Sequence, residues 1–188
     1  SASLVGSEMC IRDRLNNDTV VGTIMTNIGF ENFLNDNNIN LKRVNVGDRY
    51  ILDEMLNNNY NLGGEPSGHV IMSDHTKSGD GLLTAIKIIS LLKKSGKKAS
   101  EFLRPFSITP YKIKNLKKIN NYILETESVK KSLKKIQLDL KNKHNGRLLV
   151  RPSGTEPIVR ILVECEYNDK IEQYISKVQD LLVKENSS

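Results

Sequence analysis

Residues 20–56 read VVGTIMTNIGFENFLNDNNINLKRVNVGDRYILDEML, and the order of residue types in this stretch sets the fold class. Residues 20–25 carry no charge and are rich in β-branched side chains, which predicts a buried strand. Residues 30–35 predict a short helix, broken by the Asn-Asp-Asn-Asn run at 35–38. Leu41, Val44 and Val46 suggest a second strand. Residues 49–56 predict a helix with Asp48 as its N-cap. Strands alternating with helices indicate a layered α/β unit.

Working outward, residues 60–62 and 70–72 flank a glycine-rich turn. Residues 82–92 (LLTAIKIISLL) are apolar nearly all round, which predicts a buried helix stopped by Gly96. Around residues 102–106 the pattern changes. Pro105 and Pro110 punctuate a hinge and then an edge strand. Val129, Leu133, Ile136 and Leu140 fall at helical spacing behind Thr126. Residues 147–150 predict a strand. Val159, Ile161, Val163 and Cys165 alternate with Arg160 and Glu164, as in a half-buried strand. Ile171, Ile175, Val178 and Leu182 predict a final amphipathic helix capped by Asn168. The second half is thus a small α+β domain, and the two domains are expected at residues 15–104 and 105–188. Residues 1–14 contain no Asn and no Lys, both abundant afterwards. They read as a non-native or disordered leader that carries no function.

The composition narrows the function classes. A chain of 188 residues with 38% hydrophobic and 27% charged residues can bury a core. No apolar run reaches the roughly 20 residues of a membrane helix, so no membrane partner is expected. Two cysteines, Cys10 and Cys165, make neither a disulfide framework nor a zinc cluster and suit a reducing, cytoplasmic setting. The net charge of +6 is local: residues 93–143 hold 15 Lys and Arg against 4 Asp and Glu. Asn, Lys and Ile together number 58, as AT-rich codon usage would give, so the charge argues weakly for nucleic acid. A basic nucleic-acid-binding module would interleave aromatics with these lysines. Only Phe102, Phe106, Tyr111 and Tyr122 lie there, in no recognisable motif.

Four segments carry chemistry. Arg151-Pro152-Ser153-Gly154-Thr155-Glu156-Pro157 lies between two strands. Arginine offers a planar, two-pronged donor for phosphate, the hydroxyls of Ser153 and Thr155 add donors, and Gly154 lets backbone N–H groups turn to one point. A tight polar hairpin turn would have the same composition. In Gly63-Gly64-Glu65-Pro66-Ser67-Gly68-His69, the side chains of Glu65, Ser67 and His69 fall at period two and would point one way in an extended loop. Such a trio suits a ligand rich in hydroxyls. Val46-Gly47-Asp48-Arg49-Tyr50 runs from a strand end into a helix, where α/β sheets commonly meet ligands. Ser78-Gly79-Asp80-Gly81 precedes a helix, either as a plain cap or as an aid in holding an anion.

In this order and spacing, the four segments resemble the α-D-phosphohexomutase superfamily and, within it, the bacterial phosphoglucosamine mutase branch. That family carries a Gly-Glu-x-Ser-Gly-His sugar loop, matched by residues 64–69, and an Arg-x-Ser-Gly-Thr-Glu-Pro phosphate loop, matched by residues 151–157. The resemblance covers roughly residues 19–185. It implies an N-terminally truncated third phosphohexomutase domain (α/β), followed by a fourth domain (α+β). The fourth is expected as an antiparallel sheet with helices on one face, like a TATA-binding-protein half. It implies an isomerase of amino-sugar and cell-wall precursor synthesis, working through an enzyme phosphoserine and a bisphosphate. It further implies substrate contacts at Gly47, Asp48, Arg49, Glu65, Ser67 and His69, and phosphate contacts at Arg151, Ser153, Gly154 and Thr155. His69 is at most a weak acid/base candidate.

The departures are as informative. The family's phosphoserine sits in a Ser-His loop and its magnesium in an Asp-x-Asp-x-Asp-Arg loop. Within these 188 residues no Ser precedes a His and no two Asp are two apart. Magnesium is therefore expected on a second domain, with none bound here and no catalytic group in this fragment. Pro66 stands where the family has Gln or Asn. The alternative within the superfamily is a phosphomannomutase/phosphoglucomutase, against which the Gly47-Asp48-Arg49 segment argues. The expected partner is a phosphorylated hexosamine.

Overall fold

In the computed structural model, residues 15–153 and 158–187 are described. They form two units that divide between Ile108 and Thr109. Phe106 packs with the first unit. Its ring lies 5.4 Å from that of Phe30 and 5.8 Å from that of Phe33.

The first unit runs β1 (Thr19–Thr23), α1 (Ile28–Asp36), β2 (Asn40–Val44), α2 (Asp48–Asn58), β3 (Leu62–Gly64), β4 (Val70–Met72), α3 (Gly81–Ser95) and α4 (Ala99–Phe102). The sheet order is β2-β1-β3-β4. β1 is parallel to β2 and β3, and β3 and β4 form an antiparallel hairpin. Neighbouring residues of a strand face opposite ways, and the core divides accordingly. Val20 joins Phe30 and Leu34 of α1, whereas Val21 joins Ile51 and Met55 of α2 and Ile71 of β4. Gly63 lets α2 sit close on the sheet. A Cβ there would lie 2.5 Å from Ile51 Cγ2 and 2.7 Å from Met55 Sδ.

Two expectations for this unit are corrected. Asp48 is the first helical residue of α2, and Gly47 occupies the cap position. The apolar helix α3, capped by Asp80 and stopped by Gly96 at φ 65°, is not buried. Leu82, Ile86 and Ile89 are 73%, 57% and 64% exposed. Apolar periodicity states which sides of a helix can be buried. The covering element is a separate matter, and none of the described residues buries this side.

The second unit runs β5 (Tyr111–Lys117), α5 (Glu127–His144), β6 (Arg147–Pro152), β7 (Ile158–Glu164) and α6 (Asn168–Asn186), with a 3-10 turn at Asn121–Glu125. Its antiparallel sheet has the order β5-β7-β6, so β5 is an edge strand. Val159, Ile161, Val163 and Cys165 pack on Val129 and Leu140 of α5 and Ile171, Ile175, Val178 and Leu182 of α6. Both helices therefore lie on one face. Thr126 caps α5 through Val129 N. Asn168 is helical rather than the cap of α6, and Tyr167 precedes it without a side-chain bond.

The two helices are latched by Tyr174, whose hydroxyl donates to Asp139 Oδ2 at 2.5 Å. His144 is half-buried and packed edge-on against Tyr167 and Tyr174. Burial, and next the bond to Asp139, push the Tyr174 hydroxyl up to about 12. The fold thus favours neutral Tyr174. That stabilisation is complete below the unfolded tyrosine value of about 10 and is lost as pH rises through about 12. An absorbance titration is expected to show a tyrosine ionising near pH 12 that Tyr174→Phe removes. An unchanged titration in the variant would contradict the latch.

Candidate sugar and phosphate loops

The first site is built on the β3–β4 hairpin. Gly64 pairs with Val70, and residues 65–69 form the connecting loop. Glu65 N donates to His69 O at 2.9 Å, and Gly68 N donates to Glu65 O at 3.0 Å. The loop closes at Gly68, whose φ of +98° a side chain would strain. Glu65, Ser67 and His69 do meet on one side, but this turn brings them together, not the extended loop that period two assumed. Ser67 Oγ donates to Glu65 Oε2 at 3.0 Å and lies 3.1 Å from His69 Nδ1.

Glu65 also reaches a second segment. Its Oε1 accepts from Gly47 N at 2.6 Å. Gly47 follows β2 and Glu65 follows β3, so the bond spans the carboxyl end of the central strand β1, where ligands of parallel sheets are held. The third segment lies alongside: a Cβ on Gly79 would be 3.6 Å from His69 Cδ2. Asp80 Oδ1 there accepts from Leu83 N at 2.9 Å. Of the sequence-predicted residues, Gly47, Glu65, Ser67 and His69 are thus tied together. Asp48 and Arg49 stand beside them on the first turn of α2 without joining the network. Asp48 Oδ1 accepts from Arg49 N, and the Arg49 side chain is 88% exposed, 3.9 Å from Asp53.

Sequence reasoning missed Arg43. Its Nη1 donates to the carbonyls of Thr23 at 3.1 Å and Thr26 at 2.7 Å, and its Nη2 to Glu31 at 2.8 Å. It clamps the turn after β1 at this same sheet edge. A lone arginine in a strand gives no sequence signal for such a role.

The second site lies at the β6–β7 hairpin. Ser153 N donates to Ile158 O at 2.9 Å, closing its base. Gly154 and Thr155, expected to contact phosphate, lie outside the described residues, as do Glu156 and Pro157. Arg151 is paired in register with Arg160 of β7. Burial, and next the charge of Arg160, hold the Arg151 guanidinium below the ordinary arginine value. Its Nε is buried and has no partner among the described residues. Two like charges in register repel. Arg160 was missed because the register of a hairpin decides it, and the sequence shows no register. Among the described residues, no three His, Cys, Asp or Glu side chains are placed to hold a metal ion. No helix of the described residues is long and apolar enough to cross a membrane.

The sequence and the fold have counterparts among known proteins. Residues 1–107 match the sequence model of the phosphoglucomutase/phosphomannomutase alpha/beta/alpha domain III, and residues 111–181 that of the phosphoglucomutase/phosphomannomutase C-terminal domain. The chain is 40% identical over 180 residues to phosphoglucosamine mutase of Staphylococcus aureus (strain bovine RF122 / ET3-1). That alignment covers 95% of this chain and 40% of the relative, so the chain spans well under half the relative's length. Among solved structures, N-acetylphosphoglucosamine mutase of Aspergillus fumigatus matches with a TM-score of 0.79 at 15% identity. The match covers 98% of this chain and 42% of that one. A phosphoglucomutase/phosphomannomutase family protein of Burkholderia thailandensis matches with a TM-score of 0.69 at 17% identity, covering 98% and 40% of the two chains. At such identities the structural matches speak for the fold alone.

Proposed function

The chain belongs to the phosphoglucomutase/phosphomannomutase family, of which it carries domain III and the C-terminal domain, and from that premise we propose that it is the sugar- and phosphate-holding part of a phosphoglucosamine mutase. The whole enzyme interconverts glucosamine 6-phosphate and glucosamine 1-phosphate in the cytoplasm, for amino-sugar and cell-wall precursor synthesis. A phosphoserine gives its phosphoryl group to the sugar. The resulting bisphosphate turns over, and the other phosphate returns to serine. Such transfer depends on positioning and charge neutralisation, and positioning is this chain's share.

The observation that carries the reading is the hydrogen-bonded line from Gly47 through Glu65 and Ser67 to His69. It supports a rigid set of acceptors for sugar hydroxyls, with Asp48 and Arg49 beside it. Arg151 and Ser153, with Gly154 and Thr155, hold the phosphate that is not reacting. Arg160 adds a second positive charge next to Arg151. Magnesium, which neutralises charge on a transferring phosphoryl group, does not fit the described residues, which offer it no ligand cluster. Its place in this proposal is on another part of the enzyme.

The test is substrate choice in a full-length mutase carrying this chain as its C-terminal part. The reading expects a clearly higher kcat/KM for glucosamine 6-phosphate than for mannose 6-phosphate or glucose 6-phosphate. Equal or inverted preference would favour the phosphomannomutase/phosphoglucomutase alternative.

A further inference from the structure

Each hydrogen bond in the sugar loop needs a proton from one of its two ends, and the ends can be counted. The Glu65 carboxylate only accepts. Its Oε1 takes the Gly47 N–H at 2.6 Å, and its Oε2 takes the Ser67 hydroxyl at 3.0 Å. A serine hydroxyl has one proton. Once that proton is given to Glu65, Ser67 Oγ has only lone pairs to offer His69, whose Nδ1 lies 3.1 Å away. Nδ1 must then be the donor.

We infer that Glu65 and Ser67 together fix neutral His69 as the Nδ1–H tautomer, so that Nε2 is the unprotonated ring atom offered to the ligand. An unconstrained neutral histidine favours the opposite tautomer, so the strap holds the less common one. Which nitrogen carries the proton is decided by the bond the other one makes. All protons in the line point toward Glu65. The edge presented outward is therefore acceptor-only: the spare lone pairs of the carboxylate and the lone pair of Nε2. Such an edge receives a hydroxyl or ammonium hydrogen and repels a phosphate oxygen. On the proposed sugar-site reading, this makes Ser67 a positioning residue for His69, and it gives the sugar loop and the phosphate loop opposite polarity. A hexosamine, with its hydroxyl and ammonium donors, matches the acceptor-only edge of the sugar loop.

The experiment is nitrogen NMR of the 188-residue chain with labelled histidine, on the alkaline side of the imidazole titration. Long-range proton–nitrogen couplings assign each ring nitrogen as protonated or bare. His69 is expected with a protonated Nδ1 and a bare Nε2. Ser67→Ala removes the acceptor and should return His69 to a majority Nε2–H form. Ser67→Thr keeps the hydroxyl and should keep the Nδ1–H form. Glu65→Gln supplies an amide that can donate to Ser67, freeing the hydroxyl proton for His69, so it too should shift the tautomer to Nε2–H. His75 and His144 serve as internal references and should not change. A wild-type His69 with its proton on Nε2, or a tautomer indifferent to both Ser67→Ala and Glu65→Gln, overturns the inference. The readout uses no ligand, so failure of the sugar assignment and failure of the tautomer lock are told apart.

Discussion

Arg151→Lys, placed in a full-length mutase that carries this chain, is expected to lower kcat/KM by about 10- to 150-fold although the charge is kept. Lysine offers a point charge on a flexible stem and cannot make a planar, two-pronged contact with phosphate. Losing one hydrogen bond to a charged group costs about 1.5–3 kcal/mol, which converts to that range at about 1.4 kcal/mol per tenfold. The surroundings of Arg151 make compensation hard. Its guanidinium is partly desolvated and has Arg160 across the strand pair, and its buried Nε has no partner among the described residues. A lysine ammonium would be still less well placed beside that neighbouring charge. Steady-state kinetics on the purified variant checks this. A value within about twofold of the parent would put Arg151 outside the phosphate site.

Arg151 also shows where reading the sequence stops. Its side chain and its place before a glycine turn were legible, because chemistry of that kind is local. Its partner Arg160 was not, because a hairpin register joins residues across a turn and a shift by one would reverse every face. The same limit applies in the first unit. The adjacent Val20 and Val21 announce a strand buried on both faces, and the structure puts one in each core. The bond from Gly47 to Glu65 joins two segments that each stood out in the sequence, yet nothing local says that they touch. Arg43 left no trace at all, since its value lies in carbonyls 17 and 20 residues away. Helix α3 was misread in the other direction: its apolar sides were evident, but their exposure depends on what else is near.

The central claim is a division of labour. We propose that this chain holds the sugar phosphate while another part of the enzyme transfers it, a reading supported by the lack of any Ser-His pair and of any two Asp two apart within these 188 residues. Positioning cannot replace the phosphoryl donor itself. The most direct measurement is an amide NMR titration of the pure 188-residue chain with glucosamine 6-phosphate, with the sugar phosphates followed in the same sample. The expected result is perturbation at Gly47, Glu65, Ser67 and His69 and at Arg151 and Ser153, with no glucosamine 1-phosphate formed at any time. Conversion by the pure chain, or perturbation confined to the lysine-rich residues 93–143, would contradict it.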